Sequence, residues 1–228
     1  MDKMVSAIGL EMGMRKNELK DEVNTIYFGG GTPSILTTEA ISNILKIIQN
    51  NYKVSNEPEI TLEANPDDIS SAKAIAWKEM GINRFSIGIQ SFDQQYLEWM
   101  NRAHDAEQSI RCIELIRSAG FDNFSIDLIY GTPGQSGLEW TTDIQKAIQL
   151  EIPHLSCYAL TVEENTALHH LINKGKKEKV DADEQALRFE TLLQMTENAG
   201  YHHYEISNFA LPGNESRHNS AYWEGIPY

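Results

Sequence analysis

The chain has 228 residues, enough for one α/β domain with a real core, and its 41% hydrophobic content fits a globular protein. Its 33 acidic and 19 basic residues leave a net charge of −14, which argues against nonspecific binding to nucleic acid or anionic lipid. No apolar run approaches the roughly 18 residues that would span a bilayer, and the opening Met1-Asp2-Lys3-Met4 lacks the basic-then-apolar layout of a signal peptide. The expectation is a cytoplasmic protein with no nucleic-acid partner and no transmembrane segment.

In chain order, helical spacing of apolar residues first covers 5–19, with no strand before it. A strand over 25–28 closes on Phe28-Gly29-Gly30-Gly31-Thr32-Pro33. A helix over 38–50 follows, with Thr37 or Thr38 before Glu39 as its N-cap. The strand over 59–64 sets Ile60 and Leu62 on one side and Thr61 and Glu63 on the other. Ser70 or Ser71 caps a helix over 70–80 that stops at Gly81. The strand over 84–90 opposes Phe85, Ile87 and Ile89 to Ser86, Gly88 and Gln90, and a helix over 106–119 stops at Gly120. The strand over 123–130 sets Phe124, Ile126 and Leu128 against Ser125 and Asp127. A helix over 138–150 leads to a strand over 154–160, with Leu155, Cys157 and Ala159 opposite Ser156 and Tyr158.

Strands alternating with helices of this length mean right-handed βαβ units and a parallel sheet. One side of that sheet suits packing against helices. The other stays small or polar, with Glu63, Gln90, Asp127 and Tyr158 toward the strands' C-terminal ends, unlike the bulky branched filling of an ordinary (β/α) barrel. Five such strands fall short of a closed eight-stranded barrel. Past residue 160 the pattern changes: helices over 165–173 and 183–199 flank a charged stretch, 174–179, read as a solvated turn because Glu178 interrupts Lys176, Lys177 and Lys179. A further strand over 201–209 and a loop over 211–217 follow. Both ends read as cut, the last residues, 223–228, suggesting a core still being built.

Three successive glycines let a backbone adopt conformations closed to other residues and approach a ligand closely. Residues 29–31 therefore form either a ligand contact or a tight strand-to-helix turn; they lack the Lys of a P-loop and the spacing of a dinucleotide fingerprint. Glu63, Gln90 and Asp127 each read alone as polar residues closing the sheet's rim. Taken together on consecutive strands they would crowd a dry cavity with groups costing about 1–3 kcal/mol each if unpaired, which a ligand would relieve. Gln90 and Asp127 suit sugar hydroxyls and Glu63 an ammonium group, while Arg102 is either the cation for a carboxylate or a surface salt bridge. Cys112 and Cys157 have no metal or redox spacing and read as buried thiols. His154, His169, His170, His202 and His203 lie on no ligand spacing, and His104 reads as a loop residue.

The motifs Phe28-Gly29-Gly30-Gly31-Thr32-Pro33, Leu62-Glu63-Ala64-Asn65-Pro66, Ser86-Ile87-Gly88-Ile89-Gln90-Ser91, Asn101-Arg102 and Ile126-Asp127-Leu128-Ile129-Tyr130-Gly131 resemble radical S-adenosylmethionine (SAM) proteins of the oxygen-independent coproporphyrinogen oxidase group. The resemblance implies a partial (β/α)6 TIM-like barrel without its first strand over 1–160. Over 161–228 it implies a helical extension, a strand and the start of an incomplete C-terminal region. It implies that Gly30, Gly31 and Thr32 with Glu63 hold the amino end of the methionine moiety of S-adenosylmethionine, that Arg102 meets its carboxylate, and that Gln90 and Asp127 meet the ribose. Arg217-His218-Asn219-Ser220-Ala221-Tyr222-Trp223 resembles the His-Asn-x-x-Tyr-Trp signature of HemW-type haem chaperones. In that reading His218 ligates haem iron and Tyr222 and Trp223 cover a porphyrin face; otherwise the two aromatics are core residues and His218 a hydrogen-bonding loop residue.

The family's C-x-x-x-C-x-x-C run, which binds a [4Fe-4S] cluster, is absent, and two cysteines cannot form a three-thiolate site. The cluster is therefore expected only in an intact, longer protein, with this polypeptide binding S-adenosylmethionine weakly and generating no radical. The resemblance leaves two activities open: haem delivery to an acceptor protein, or oxidation of coproporphyrinogen propionates in porphyrin biosynthesis. A five-stranded sugar-phosphate binder using residues 29–31 is the third reading.

Overall fold

The computed structural model describes residues 2–226 and forms two compact units. One takes the residues up to Ile87, Arg111–Asn123 and those from Ser216; the other takes Gly88–Ile110 and Phe124–Glu215.

The first unit begins with α1 (Asp2–Arg15), β1 (Val23–Phe28), a 3-10 turn (Pro33–Ile35) and α2 (Thr38–Asn51). It continues through β2 (Val54–Ala64), a second 3-10 turn (Pro66–Asp68), α3 (Ser71–Glu79) and β3 (Arg84–Gln90), whose last residues enter the second unit. β1 lies parallel to β2 and β2 to β3, with Ile26 opposite Ile60, Phe28 opposite Leu62 and Leu62 opposite Phe85. That register puts one apolar parity on one face and Thr25, Tyr27, Glu59, Thr61, Glu63, Arg84 and Ser86 on the other. Helix α2 covers the apolar side through Ile41, Ile44, Leu45 and Ile48, all buried at helical spacing, and Thr37 caps it by accepting from the Ala40 N–H. Trp77, Phe85 and Phe121 pack edge to face, with centroids 5.6 and 4.6 Å apart, and are fully buried. Such rings anchor a core because each buries a large apolar area.

The second unit contains α4 (Gln94–Trp99), β4 (Phe124–Tyr130), α6 (Gly137–Gln149) and β5 (His154–Ala159). Then come α7 (Ala167–Asn173), α8 (Ala182–Asn198), β6 (His202–His203) and β7 (Asn208–Ala210). Helix α5 (Ala106–Ser118) joins the two segments preceding β4, and α9 (Arg217–Trp223) belongs to the first unit. β4 and β5 run parallel, whereas β7 pairs antiparallel with both β5 and β6. The strand expected over 201–209 is thus two short strands folded back on themselves, with residues 204–207 turning between them. Helix α6 opens with a reciprocal capping box between Ser136 and Glu139, and its Trp140 donates to the Arg188 carbonyl at 3.0 Å. The alternation expected in the strands holds, with apolar residues buried and Ser86, Gln90 and Asp127 partly exposed. Among the described residues no helix is long and apolar enough to cross a membrane.

Asp143 on α6 is almost fully buried and accepts from Ser91 Oγ at 2.7 Å and Phe92 N–H at 2.8 Å, fixing the turn after β3. Burial outweighs these bonds and raises its carboxyl from 3.8 to about 6. Because the folded value lies above the unfolded one, this group's stabilisation is complete below 3.8 and is lost as pH rises through about 6. The loss amounts to about 3 kcal/mol at 1.36 kcal/mol per unit. Asp143→Asn should flatten the pH dependence of the unfolding free energy between pH 4 and pH 7.5 by that amount; curves that run parallel to wild type would contradict the assignment.

Candidate functional site

In the first unit the site grows from the polar face of β1 and β2. Glu63 stands near the end of β2, where Tyr27 Oη donates to its Oε1 at 2.8 Å and the Gly30 N–H donates to Oε2 at 3.2 Å. The glycine run is therefore a contact with Glu63 as well as a turn. Gly29 admits no side chain, because a Cβ there would lie 2.5 Å from Tyr27 Cε1 and 2.9 Å from Glu63 Oε1. Gly30 and Gly31 take φ of +75° and +66°, with open space beside them. Thr32 follows as the N-cap of the 3-10 turn; its carbonyl accepts from the Ile35 N–H at 3.2 Å, and its side chain makes no capping bond. Gly30 and Glu63 thus meet directly, with Gly31 and Thr32 next in the chain.

The same face carries a second cluster that the sequence did not reveal. Glu59, 4% exposed, sits 3.8 Å from Arg84 Nε, itself 2% exposed. Its Oε2 accepts the Arg217 N–H at 3.1 Å and its Oε1 the His218 N–H at 2.9 Å, which docks the first turn of α9 on the sheet. Ser216 caps that helix, and Arg217 Nη1 donates to the Glu57 carbonyl at 2.9 Å. The His218 ring then lies on Tyr27, centroids 4.7 Å apart and planes 17° from parallel, with Nδ1 2.9 Å from Thr25 Oγ1. Burial lowers the proton affinity of this imidazole, and the charge of Glu59 opposes the shift. Tyr222 and Trp223 are 55% and 61% exposed, so they are surface aromatics and not part of a core. Parity alone could have shown Thr25 and Tyr27 beside Glu59 and Glu63; nothing local announced that α9 returns to them.

In the second unit Gln90 ends β3 with φ of +69°, a left-handed conformation uncommon for a residue with a side chain. It lines a cavity of about 480 Å³ with Arg102, Trp99, Ile129, Leu160 and Lys177. Arg102 is half-buried and donates through Nη2 to the Gly88 carbonyl at 3.3 Å. Lys177 departs from the expected solvated turn: its Nζ donates to the Trp99 carbonyl at 2.6 Å and sits 3.7 Å above that ring. Asp127 lies in the middle of β4, not at its end, on the parity shared with Ile129, Ser156 and Tyr158. His104 is in a loop but buried, its Nε2 3.0 Å from the Ile89 carbonyl, and the buried His154 meets Tyr204 Oη at 2.7 Å.

Parallel strands joined through helices, with a glycine run after β1 and Glu63 near the end of β2, define an α/β protein. Residues 10–147 match the Radical SAM superfamily, and the chain belongs to it. It is similar to proteins named heme chaperone HemW: 36% identical over 208 residues to that of Lactococcus lactis and 38% over 208 residues to that of Bacillus subtilis, each covering 91% of this chain and 55% of the relative. The Escherichia coli HemW is 38% identical over 204 residues, covering 89% of this chain and 52% of that protein. The chain therefore spans about half the length of the curated relatives it matches. In fold it is similar to the radical SAM enzyme coproporphyrinogen III oxidase (HemN) of Escherichia coli, at a TM-score of 0.81 and 24% identity over 99% of this chain and 51% of that one. Elp3 of Methanocaldococcus infernus gives 0.64 at 18% identity, over 81% of this chain and 48% of that one.

The residues present fit the groups this family implies unequally. Glu63, held open-faced by Gly30 and Tyr27, suits an ammonium, and Arg102 suits a carboxylate. His218, stacked on Tyr27, suits a haem iron. The cysteines do not fit an iron–sulfur cluster. Both are thiols outside any disulfide and about 1% exposed, and burial pushes the Cys112 thiol up to about 12 and raises that of Cys157 too, disfavouring the thiolate a metal needs. Among the described residues no group of three or more His, Cys, Asp or Glu is placed to hold a metal ion.

Glu59→Leu removes both the acceptor for α9 and the partner of the buried Arg84 guanidinium. It should lower the unfolding free energy by about 3–5 kcal/mol in urea titrations, whereas Glu57→Leu on the exposed part of β2 should change it by less than about 0.5 kcal/mol.

Proposed function

We propose that the chain is part of a haem chaperone of the radical SAM superfamily, which binds S-adenosylmethionine and haem and passes the haem to an acceptor protein. The observation that carries this reading is the similarity to HemW proteins over about nine-tenths of the chain, at 36–38% identity. The docking of His218 on β1, with two exposed aromatics on the same short helix, supports it. The likeness to coproporphyrinogen III oxidase concerns the fold, and conversion of coproporphyrinogen by the protein would turn the proposal from delivery to catalysis.

In this reading Glu63 receives the ammonium of S-adenosylmethionine, with the Gly30, Gly31 and Thr32 backbone approaching the same end. Arg102 takes the carboxylate, and Gln90 and Asp127 accept from the ribose hydroxyls. Glu63 is suited to its part because its two bonds, to Tyr27 Oη and the Gly30 N–H, fix the carboxylate before a ligand arrives. A [4Fe-4S] cluster, where the protein carries one, draws its thiolates from residues other than Cys112 and Cys157. His218 would supply a nitrogen ligand to haem iron, with Tyr222 and Trp223 offering faces to the porphyrin.

Two titrations test this. Haemin added to the purified chain should give a Soret band that His218→Ala shifts; an identical band in the variant removes His218 as the ligand. S-adenosylmethionine measured by calorimetry should bind at least roughly tenfold more weakly to Glu63→Gln, the scale of losing one charge-assisted bond of 1.5–3 kcal/mol. Equal affinities would take Glu63 out of the ammonium site.

A further inference from the structure

Four contacts hold His218, one of them the Tyr222 ring, 5.1 Å away and 86° to it. The His218 backbone N–H is bound by Glu59 Oε1 at 2.9 Å, its ring lies 4.7 Å from the Tyr27 ring at 17°, and its Nδ1 is 2.9 Å from Thr25 Oγ1. Thr25 and Tyr27 are two residues apart on one strand, so both reach the ring from the same face of β1. Tyr27 is itself tethered by its hydroxyl to Glu63 at 2.8 Å. A histidine needed only to close a loop requires one such contact; here Glu59, Tyr27 and Thr25 fix its position, its plane and one of its nitrogens.

The remaining variable is the tautomer. A neutral imidazole, the form able to ligate iron, carries one N–H and one lone pair. A hydroxyl facing Nδ1 can accept from an Nδ1–H, which leaves the lone pair on Nε2. Metal-bound histidines nearly always donate the proton of their other nitrogen to a fixed acceptor, which sets the ring orientation and raises the basicity of the ligating atom.

We infer that Thr25 and Tyr27 are positioning residues for a haem-ligating histidine: Thr25 Oγ1 accepts from His218 Nδ1–H, Tyr27 fixes the ring plane, and His218 Nε2 would be the nitrogen left to bind iron. The inference rests on the reading of His218 as the haem ligand. It extends that reading to two residues of β1 more than 190 positions away in sequence.

The test has a haem-free arm and a haem-bound arm. In the purified chain, ring ¹⁵N shifts of His218 should report the Nδ1–H tautomer above neutral pH; an Nε2–H tautomer would overturn the inference. With haemin bound, Thr25→Val, which keeps the shape of the side chain and loses the acceptor, should weaken haem binding roughly tenfold. It should also lower the iron–histidine stretching frequency of the ferrous form, and Thr25→Ser should restore both. Tyr27→Phe, which keeps the ring, should leave that frequency unchanged, while Tyr27→Leu should broaden it. Thr25→Val matching wild type in affinity and frequency would overturn the inference, as would Thr25→Ser behaving like Thr25→Val. If His218→Ala leaves the Soret band unaltered, the ligand reading itself falls; if His218→Ala shifts the band and Thr25→Val does not, only the positioning role falls.

Discussion

The carboxylate of Glu59 is almost wholly removed from water and is answered on one side by the guanidinium of Arg84 and on the other by the first two N–H groups of α9. A lone buried charge would cost several kcal/mol. Here the compensation comes from an opposite charge and from the positive end of a helix, so neither the strand nor the helix end is stable in this form without the other. The seven-residue α9 is too short to hold together by propagation alone. It exists because Glu59 and the Ser216 cap satisfy its free N–H groups, and with α9 in place His218 is carried onto Tyr27 and Thr25.

The strands were legible because each alternates cleanly: Ile60 and Leu62 against Thr61 and Glu63, or Phe124, Ile126 and Leu128 against Ser125 and Asp127. Burial of one parity is the force that fixes register, and that force is written in the residues themselves. The long helices were legible for the same reason, with Ile41, Ile44, Leu45 and Ile48 on one stripe, and Thr37 and Ser70 serve as caps where the residue types suggested. Of the short helices, α4 and α9 gave no period to read. The stretch over 201–209 has strand-like residues, but its central turn over 204–207 lets β7 reach β5 antiparallel. Lys177 looked solvated within a charged run; its cation instead finds the face and carbonyl of Trp99, a partner 78 residues earlier that no local pattern names.

The candidate site divides along the same line. Glu63 and Gly30 meet because both stand where adjacent parallel strands end, a geometry that follows from strand order alone. Gln90 and Arg102 share a cavity for a related reason, the chain turning back after β3 through α4. Thr25, Tyr27, Glu59 and Arg84 escaped notice as site residues because their meaning depends on a helix from the far end of the sequence. Tyr27 is the clearest case. It reads as an ordinary strand aromatic, yet its hydroxyl serves Glu63 and its ring serves His218.

Glu59 waits for N–H groups that lie 158 and 159 residues later in the chain. A ribosome adding roughly 5–20 residues per second needs on the order of ten seconds or more to bridge that interval. Until then Glu59 lacks both of these N–H partners. The polar surface of β1 and β2 can thus be covered by α9 only after the residues of the second unit have been made.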